Sequence, residues 1–273
     1  MQTNNRAWLG LMIGNSRWHW AWFRGDRLYQ SWDTPHLSAV LLEQLITSSF
    51  QGGVWTELAS VDPQALPGLD NAPVEICLAS VVPSQTELWK PYSNLALLNL
   101  VVLKLEQIPI QDLYATIGID RALALLGAGA TRGWPILVID CGTALTLTAA
   151  NQQQQFVGGA ILPGIKLQFQ ALAQNTAALP LSHLSERHSL PQRWAMTTSA
   201  AIRSGITYTT LAGIRDYVED WWSTYPQSTV VLTGGDSRLL SASLQAQAPA
   251  IAQHCQVDAQ LIFWGMRAAR QSR

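Results

Sequence analysis

Two segments of the chain share one pattern of hydrophobic and polar positions. Residues 9–23 read LGLMIGNSRWHWAWF and residues 136–149 read ILVIDCGTALTLTA. In each segment an apolar run leads to a glycine with small hydroxyl or amide residues, and an alternating run follows. This order predicts a strand, a tight turn and a second strand. Because such a turn presents backbone N–H groups at its tip, it is a candidate cradle for phosphate or another anion.

The two segments align when Gly14 is placed on Gly142, which pairs Met12 with Asp140. Two such turns facing each other across a cleft would hold the two ends of a nucleoside triphosphate. The second copy therefore carries a carboxylate where the first carries a thioether.

The pattern around the first segment predicts a mixed α/β half-domain. Trp18, Trp20 and Trp22 fall on one face of the second strand, since they recur at every other position. After a turn at 24–27, the chain favours a strand at 28–32, a helix at 37–50, a buried strand at 74–82 and a short helix at 84–89.

The second half repeats this order. Its pattern predicts a hairpin from residues 136–149 and 156–162, helices at 165–178 and 198–222, and a strand at 229–237 that ends in a glycine turn. A helix at 119–131 lies between the halves, and no linker rich in proline or serine separates them. We therefore expect two domains, 1–131 and 132–273.

Composition and charge limit the classes of function that the chain can have. The chain has 273 residues, of which 48% are hydrophobic and 13% charged, with a net charge of −1, so it can bury a large core but lacks an electrostatic footprint for nucleic acid. No apolar stretch reaches the roughly 18 residues of a membrane span, and the short polar start lacks signal-peptide features. The cysteines Cys77, Cys141 and Cys255 have no metal-ligand spacing, which favours thiols in a cytoplasmic protein.

Three aspartates stand in segments that are not evidently solvated. Asp140 lies inside an apolar strand, so either a cation or hydrogen-bond donors should face it. Asp236 follows Thr233-Gly234-Gly235 at a strand end, where a flat ring or a phosphate can approach the backbone closely.

Asp120 opens a helix rich in alanine and leucine. We expect Gly118 to break the strand before it, and Asp120 by itself to be a helix N-cap. The same helix end, with Arg121 beside it, would also suit an anionic group. The chain contains neither the GxxxxGK[ST] loop of P-loop nucleotide-binding proteins nor a GxSxG motif.

Several separated segments together resemble one family, the type III pantothenate kinases of the actin-like ATPase superfamily. They occur in family order and extend over the whole chain: SVVP (80–83), GIDR (118–121), DCGTALT (140–146), GGAILPGI (158–165), TAALP (176–180), TTSAAIRSG (197–205) and TGG (233–235). The IGNSR form of the first turn, at 13–17, is similar to a cyanobacterial branch.

The resemblance implies an α/β fold, namely a duplicated ribonuclease-H-like fold with two similar domains around a cleft, and a homodimer. It implies ATP-dependent phosphorylation of pantothenate to 4'-phosphopantothenate, the first step of coenzyme A biosynthesis. Its partners would be pantothenate and ATP, with no nucleic acid and no membrane. A monovalent cation, K⁺ or NH₄⁺, would assist, and Mg²⁺ would accompany ATP.

The resemblance also implies the site residues. Asp120 would be the general base that takes the proton of the pantothenate hydroxyl, and Asp140 would bind the monovalent cation. The pantothenate site would be lined by Tyr114, Gly118, Ile119, Asp120, Arg121 and Thr198. ATP would contact the first turn and one residue of the second: Met12, Ile13, Gly14, Asn15, Ser16, Arg17, Trp18, His19 and Thr143.

Met12 departs from the family pattern DxGNT, in which an aspartate helps to place Mg²⁺. Since a thioether is a poor ligand for hydrated Mg²⁺, either ATP and Asp140 hold that ion or activity is reduced or lost. Retention of Asp120, Arg121, Asp140 and Thr143 favours an enzyme. Met12 favours the alternative, a non-catalytic relative acting as a regulatory or accessory factor. A third possibility is another sugar or acid kinase of the superfamily, but GIDR and the later SG helix favour pantothenate.

Overall fold

The structure is a computed structural model that describes residues 6–50, 55, 58, 73–183, 190–226 and 228–272. The chain divides into two compact units. Unit 1 comprises Met1–Pro109, Tyr114–Gly127 and Ile262–Arg273, and unit 2 comprises Ile110–Leu113 and Ala128–Leu261. The described helices contain no segment with both the length and the apolar character of a transmembrane span.

The strands and helices alternate along the chain. The strands are β1 (Ala7–Ile13), β2 (Trp18–Arg24), β3 (Arg27–Thr34), β4 (Val74–Ser80), β5 (Leu98–Val102), β6 (Ile136–Cys141), β7 (Ala144–Ala150), β8 (Phe156–Pro163), β9 (Thr229–Thr233) and β10 (Cys255–Val257). The helices are α1 (Ala39–Thr47), α2 (Pro83–Glu87), α3 (Ile119–Arg132), α4 (Ile165–Asn175), α5 (Thr198–Thr224), α6 (Ser237–Gln247), α7 (Pro249–Ala252) and α8 (Leu261–Gln271).

The two sheets have the same topology. The strand order is β3-β2-β1-β4-β5 in unit 1 and β8-β7-β6-β9-β10 in unit 2. In each sheet the first three strands are antiparallel, and the central strand then pairs in parallel with the fourth. The predicted duplicated ribonuclease-H-like fold is therefore confirmed, as is the equivalence of β1 with β6.

Tryptophan side chains fill the core on one face of the unit 1 sheet. Trp18, Trp20 and Trp22 all point into this core, as their alternation predicted. Trp20 contacts Trp55 edge to face with ring centroids 5.1 Å apart, and it stacks on Trp32 at 6.4 Å. Aromatic pairs of this geometry contribute beyond the area that they bury.

The C-terminal helix α8 covers the opposite face of the same sheet. Phe263 and Met266 lie against Gly10 of β1, and Gly265 lies against the backbone of Leu123 in α3. From residue 262 onward α8 therefore belongs to unit 1, whereas the sequence-based boundary assigned all residues after 131 to the second domain. The hydrophobic pattern of a helix reveals its apolar face but not the sheet that the face covers.

Unit 2 has a separate core. Helices α4 to α7 pack on one face of its sheet, and the cluster contains, among others, Leu137, Ile139, Phe169, Ile206, Leu211, Leu232 and Leu244. The long helix α5 contributes buried residues along most of its length. The three cysteines are free thiols, as expected.

The structure corrects two local predictions. No strand precedes Gly118, because β5 ends at Val102 and residues 113–118 are irregular. Asp120 is not the N-cap, because α3 already begins at Ile119 and Asp120 lies in its first turn. The residues before Gly118 thus form a loop that leads into α3, and the helix begins one residue before Asp120.

A buried ion pair fastens α8 to the sheet of unit 1. Arg270 Nε donates to Glu75 Oε1 of β4 over 2.6 Å, and only 21% and 11% of these side chains are exposed. The Arg270 guanidinium also lies 5.0 Å from the ring centroid of Trp8. Removing one partner of such a pair leaves an uncompensated charge in a region of low dielectric.

We therefore expect Arg270→Met to lower the free energy of unfolding by about 3 kcal/mol. Arg215→Met is the matched control, since Arg215 pairs with Glu219 on the surface, where 48% and 59% of the side chains are exposed. It should cost less than about 1 kcal/mol. Urea unfolding of both variants measures the difference, and equal losses would contradict a special role for the buried pair.

Candidate active site

The turn between β1 and β2 is closed by backbone and side-chain hydrogen bonds. Gly14 N–H donates to the Arg17 carbonyl at 3.0 Å. The Gly14 carbonyl in turn accepts from Nε2 of His36 at 2.8 Å. Beside the turn, Asp33 accepts from Arg17 Nη1 at 3.0 Å and bonds Nδ1 of His19 at 2.7 Å. These contacts give the turn a defined shape next to exposed polar groups.

The residues predicted to contact ATP at this turn differ in exposure. Asn15, Ser16 and Arg17 are exposed at its tip. Ile13 and Trp18, at 0% exposure, point into the core, and Met12 is 1% exposed. Ile13, Trp18 and Met12 can therefore offer only their backbone groups to a ligand near the tip.

The equivalent turn between β6 and β7 is also closed by its backbone. Gly142 N–H donates to the Ala144 carbonyl at 3.1 Å, and Gly164 N–H donates to the Thr143 carbonyl at 2.9 Å. Gly164 precedes α4, so the start of this helix is fastened to the turn. Thr143 is exposed at the tip, as a contact with a ligand requires.

Asp140 lies at the end of β6 against the glycine turn that follows β9. A Cβ on Gly234 would be 2.4 Å from Asp140 Oδ1 and also close to the Cys141 backbone, and Gly234 has φ +84°. Glycine is therefore required here both for conformation and for space. Asp236, two residues later, donates its N–H to the Cys141 carbonyl at 2.9 Å.

The charges at this strand end are predominantly negative. Burial raises the pKa of the Cys141 thiol well above its usual range, and the carboxylates of Asp140 and Asp236 add to this. Burial also raises the pKa of Asp236, while the positive charge of Lys166 opposes that shift. Carboxylate oxygens suit hard cations such as Mg²⁺ and K⁺.

The second turn does not provide a complete protein cage for a metal. Among the described ranges, no group of three or more His, Cys, Asp or Glu side chains is placed to hold an ion. A cation beside Asp140 would complete its shell with backbone carbonyls, water or phosphate oxygens, as hydrated hard cations commonly do.

Asp120 is held in the first turn of α3 by its own neighbours. Its Oδ1 accepts from Arg121 N–H at 2.8 Å. A Cβ on Gly118 would lie 2.3 Å from the same oxygen, so this conformation of the carboxylate requires glycine at 118. Burial raises the pKa of Asp120, and the N–H and charge of Arg121 only partly offset that effect. A carboxylate of raised pKa is a stronger base.

Tyr114 and Arg121 lie beside Asp120. Arg121 is 7% exposed and its Nη1 donates to the Tyr114 hydroxyl at 2.8 Å, while Tyr114 itself is 43% exposed. Ile119 is buried. The structure thus brings together all of the predicted pantothenate residues of unit 1. Thr198, in unit 2, is exposed in the first turn of α5, whose N-cap is Thr197.

Three polar residues beside the turns were not selected by sequence reasoning: Asp33, His36 and Lys166. Asp33 and His36 flank the end of β3, and Lys166 directly follows the GGAILPGI segment as one of few lysines in the chain. Polar residues at strand ends were the available signal. Their contacts, however, depend on strand register, which the pattern does not reveal.

Comparisons with known proteins agree with this geometry. The sequence profile described as type III pantothenate kinase matches residues 8–220. The chain is 47% identical over 262 residues to a type III pantothenate kinase of Nostoc sp., covering 95% of this chain and 93% of that protein. It is 40% identical over 265 residues to one of Synechocystis sp., covering 96% and 90%.

The chain belongs to the type III pantothenate kinase family. It is therefore an enzyme, and the comparisons give no support to the alternative of a non-catalytic relative. Among solved structures, MreB 5 of Spiroplasma citri, which was solved bound to AMPPNP, matches with a TM-score of 0.50 at 10% identity, covering 97% of this chain and 96% of that one. At this identity the match shows the actin-like fold alone.

Proposed function

We propose that Asp120 is the general base in the pantothenate kinase reaction of this chain, the ATP-dependent formation of 4'-phosphopantothenate that begins coenzyme A biosynthesis. The observation that supports this role most directly is the position of its carboxylate. It is partly buried, has a raised pKa, and is held by Arg121 N–H in a pocket that exists because Gly118 has no side chain.

In this mechanism the general base takes the proton late in the reaction, and most of the catalysis comes from the way the fold positions the substrates. Phosphoryl transfer depends mainly on positioning and on neutralising charge. Asp120 accepts the proton of the pantothenate hydroxyl as that oxygen bonds to the γ-phosphorus of ATP and ADP leaves. Arg121 and Tyr114 orient pantothenate beside the base, and we assign the hydroxyl of Thr198 to pantothenate binding as well. The hydrogen bond between Arg121 and Tyr114 holds both side chains for this task.

The two glycine turns hold ATP. Exposed N–H groups and small side chains at residues 14–16 take part of the phosphate chain, and Thr143 on the second turn contacts the nucleotide. Asp140 would hold a monovalent cation, K⁺ or NH₄⁺, and Mg²⁺ would accompany ATP. When bound, these cations supply charge neutralisation at the phosphates. The oxygen donors at the end of β6 fit such ions, although protein side chains alone would not enclose them. We place the protein in the cytoplasm, where ATP and reduced thiols are available.

Asp120→Asn tests the base. We expect unmodified protein to consume ATP only when pantothenate is present, and Asp120→Asn to lower kcat by about 10²-fold or more. Stability should not fall, since asparagine still accepts the Arg121 N–H without the burial cost of a charge. Melting temperature and turnover are measured together. A folded variant with near-normal turnover would exclude Asp120 as the base.

The pH dependence has a defined sign. Because the folded state raises the pKa of Asp120, the proton is lost at a pH above the ordinary value of 3.8. In the pH profile of turnover, the midpoint of the acidic limb should therefore lie at a pH above 3.8. Ionisation of Asp120 also costs stability as pH rises through this window, and Asp120→Asn should remove that cost. A variant with an unchanged acid limb in its residual rate would contradict the assignment.

Asp140→Ala tests the cation site. Turnover of unmodified protein should be higher in K⁺ than in Na⁺ at equal ionic strength, and Asp140→Ala should abolish the difference. The control is Glu219→Gln, which removes an exposed helix carboxylate of the same unit. The rates in both salts are measured for each protein. Equal rates in K⁺ and Na⁺ for the unmodified chain would rule out a selective site.

We also propose that the protein forms a homodimer through unit 2. β8 is an edge strand of its sheet over the described residues, yet Val157 and Ile161 on it are 50% and 64% exposed. Trp194 and Met196, before α5, are 83% and 92% exposed. Apolar side chains exposed along a sheet edge mark a surface that can pair with another chain, and a two-fold dimer is the commonest arrangement.

Ile161→Lys tests the dimer. Sedimentation of unmodified protein at micromolar concentration should give about twice 29.9 kDa, and Ile161→Lys should shift it towards monomer because a charge on the edge opposes pairing. Val40→Lys is the matched control, since Val40 is 63% exposed in unit 1. A fully active monomer, or equal dissociation by both variants, would refute this interface.

A further inference from the structure

The end of β3 fastens the first glycine turn through two side chains. Asp33 binds Arg17 and His19 with its two carboxylate oxygens, at 3.0 and 2.7 Å. Three residues later, His36 Nε2 donates to the Gly14 carbonyl at 2.8 Å. The turn residues proposed to hold the nucleotide are thus tied at separate points to one segment of chain that the family motifs do not include.

Asp33 fixes the orientation of both partners and leaves further N–H groups of Arg17 for a ligand. Its bond to Arg17 uses one N–H, and a guanidinium has further N–H groups in a rigid plane that suits phosphate. A carboxylate on His19 Nδ1 keeps a proton on that nitrogen, so Nε2 accepts a hydrogen bond in the neutral ring and donates one only in the imidazolium. The other ring nitrogen then lies at the turn, because a Cβ built on Gly14 would be 3.4 Å from Nε2 of His19.

Strand register places these groups beside Met12. Met12 pairs with His19 between β1 and β2, and His19 pairs with Asp33 between β2 and β3, so the three residues lie side by side on one face. The equivalent of Met12 in unit 2 is the carboxylate Asp140. In unit 1 the end of β1 therefore has Met12 in place of a carboxylate, and its cross-strand neighbour is the imidazole of His19, which Asp33 holds.

Electrostatics agree with an ionised Asp33. Burial by itself would raise its pKa, but the hydrogen bond and charge of His19, followed by those of Arg17, outweigh burial and lower it. The carboxylate is therefore charged at neutral pH and retains its hold on both partners.

We propose that Asp33 is a positioning residue for the nucleotide: it holds Arg17 and His19 against the first glycine turn so that the Arg17 guanidinium, and His19 as the imidazolium, donate to phosphate oxygens of ATP. This inference rests on the proposed function of that turn. Asp33 touches neither substrate nor reacting atoms, and it acts only through its two partners. Cationic donors from Arg17 and His19 thereby take the place at this strand end where unit 2 has the carboxylate of Asp140.

Kinetics with Asp33→Asn test the proposal. The variant should raise KM for ATP by about tenfold, the usual effect of weakening a charge-assisted hydrogen bond. KM for pantothenate should stay the same, and the melting temperature should fall slightly, because a carboxylate whose pKa is lowered by its partners adds stability at neutral pH. Glu219→Gln is the matched control, because it also removes an exposed carboxylate bound to an arginine and should change neither KM. Asp33→Glu, which keeps the charge, should recover part of the lost ATP affinity.

A variant that lacks both partners of Asp33 separates a positioning role from a general structural role. In protein that already carries Arg17→Gln and His19→Gln, adding Asp33→Asn should leave KM for ATP unchanged, because both groups through which Asp33 acts are gone. An undiminished tenfold effect in that background would overturn the proposal. A KM for ATP equal to that of Glu219→Gln would also overturn it, as would a tenfold loss in pantothenate affinity beside the loss in ATP affinity.

Direct binding distinguishes failure of this proposal from failure of the proposed function. Calorimetry with ATP alone should show weaker binding to Asp33→Asn than to unmodified protein, whether or not pantothenate is phosphorylated. Absence of pantothenate-dependent turnover with this binding difference intact would contradict the proposed reaction and support the role of Asp33. Equal ATP binding by the two proteins, or no binding by either, would overturn that role.

Discussion

The site depends on one constraint, the central position of β1 and β6 in their sheets. Each is paired on both sides, antiparallel to the next strand and parallel to the fourth strand of its sheet. A strand fixed in this way cannot shift without breaking both ladders. The glycine turn at its end is therefore held in place, and its N–H groups stay at the edge of the sheet where a phosphate can reach them.

Two carboxylates of the candidate site can take their positions only because glycines lie beside them. Asp120 and Asp140 each have an oxygen where a neighbouring glycine would otherwise carry a Cβ, Gly118 in one case and Gly234 in the other. Burial opposes the charge of Asp120. Such a group lowers stability, and residues that lower stability are common at active sites.

Met12 shows how the duplicated halves have diverged. Both halves keep the strand, the turn and the register, but Met12 is buried and Asp140 is only half-buried. The halves therefore have the same backbone with different charges at the strand end. A buried thioether packs without needing a partner, whereas a carboxylate at that place needs a cation or donors. Symmetry of the fold thus does not require symmetry of the chemistry.

The sequence by itself determined the family, the duplication and most strands and helices, because alternation, helical spacing and ordered motifs are properties of nearby residues. It also indicated Asp120, Asp140 and the glycine turns. Only the tertiary structure decided that α8 packs on unit 1, and that Asp33 lies beside His19. The hairpin pairs Phe23 with Leu28, and continued without a shift it would set His19 against Trp32 and turn Asp33 towards the tryptophan core. A bulge between Trp22 and Phe23 moves the register by one residue, because a buried carboxylate among tryptophans would cost far more than one irregular strand pair.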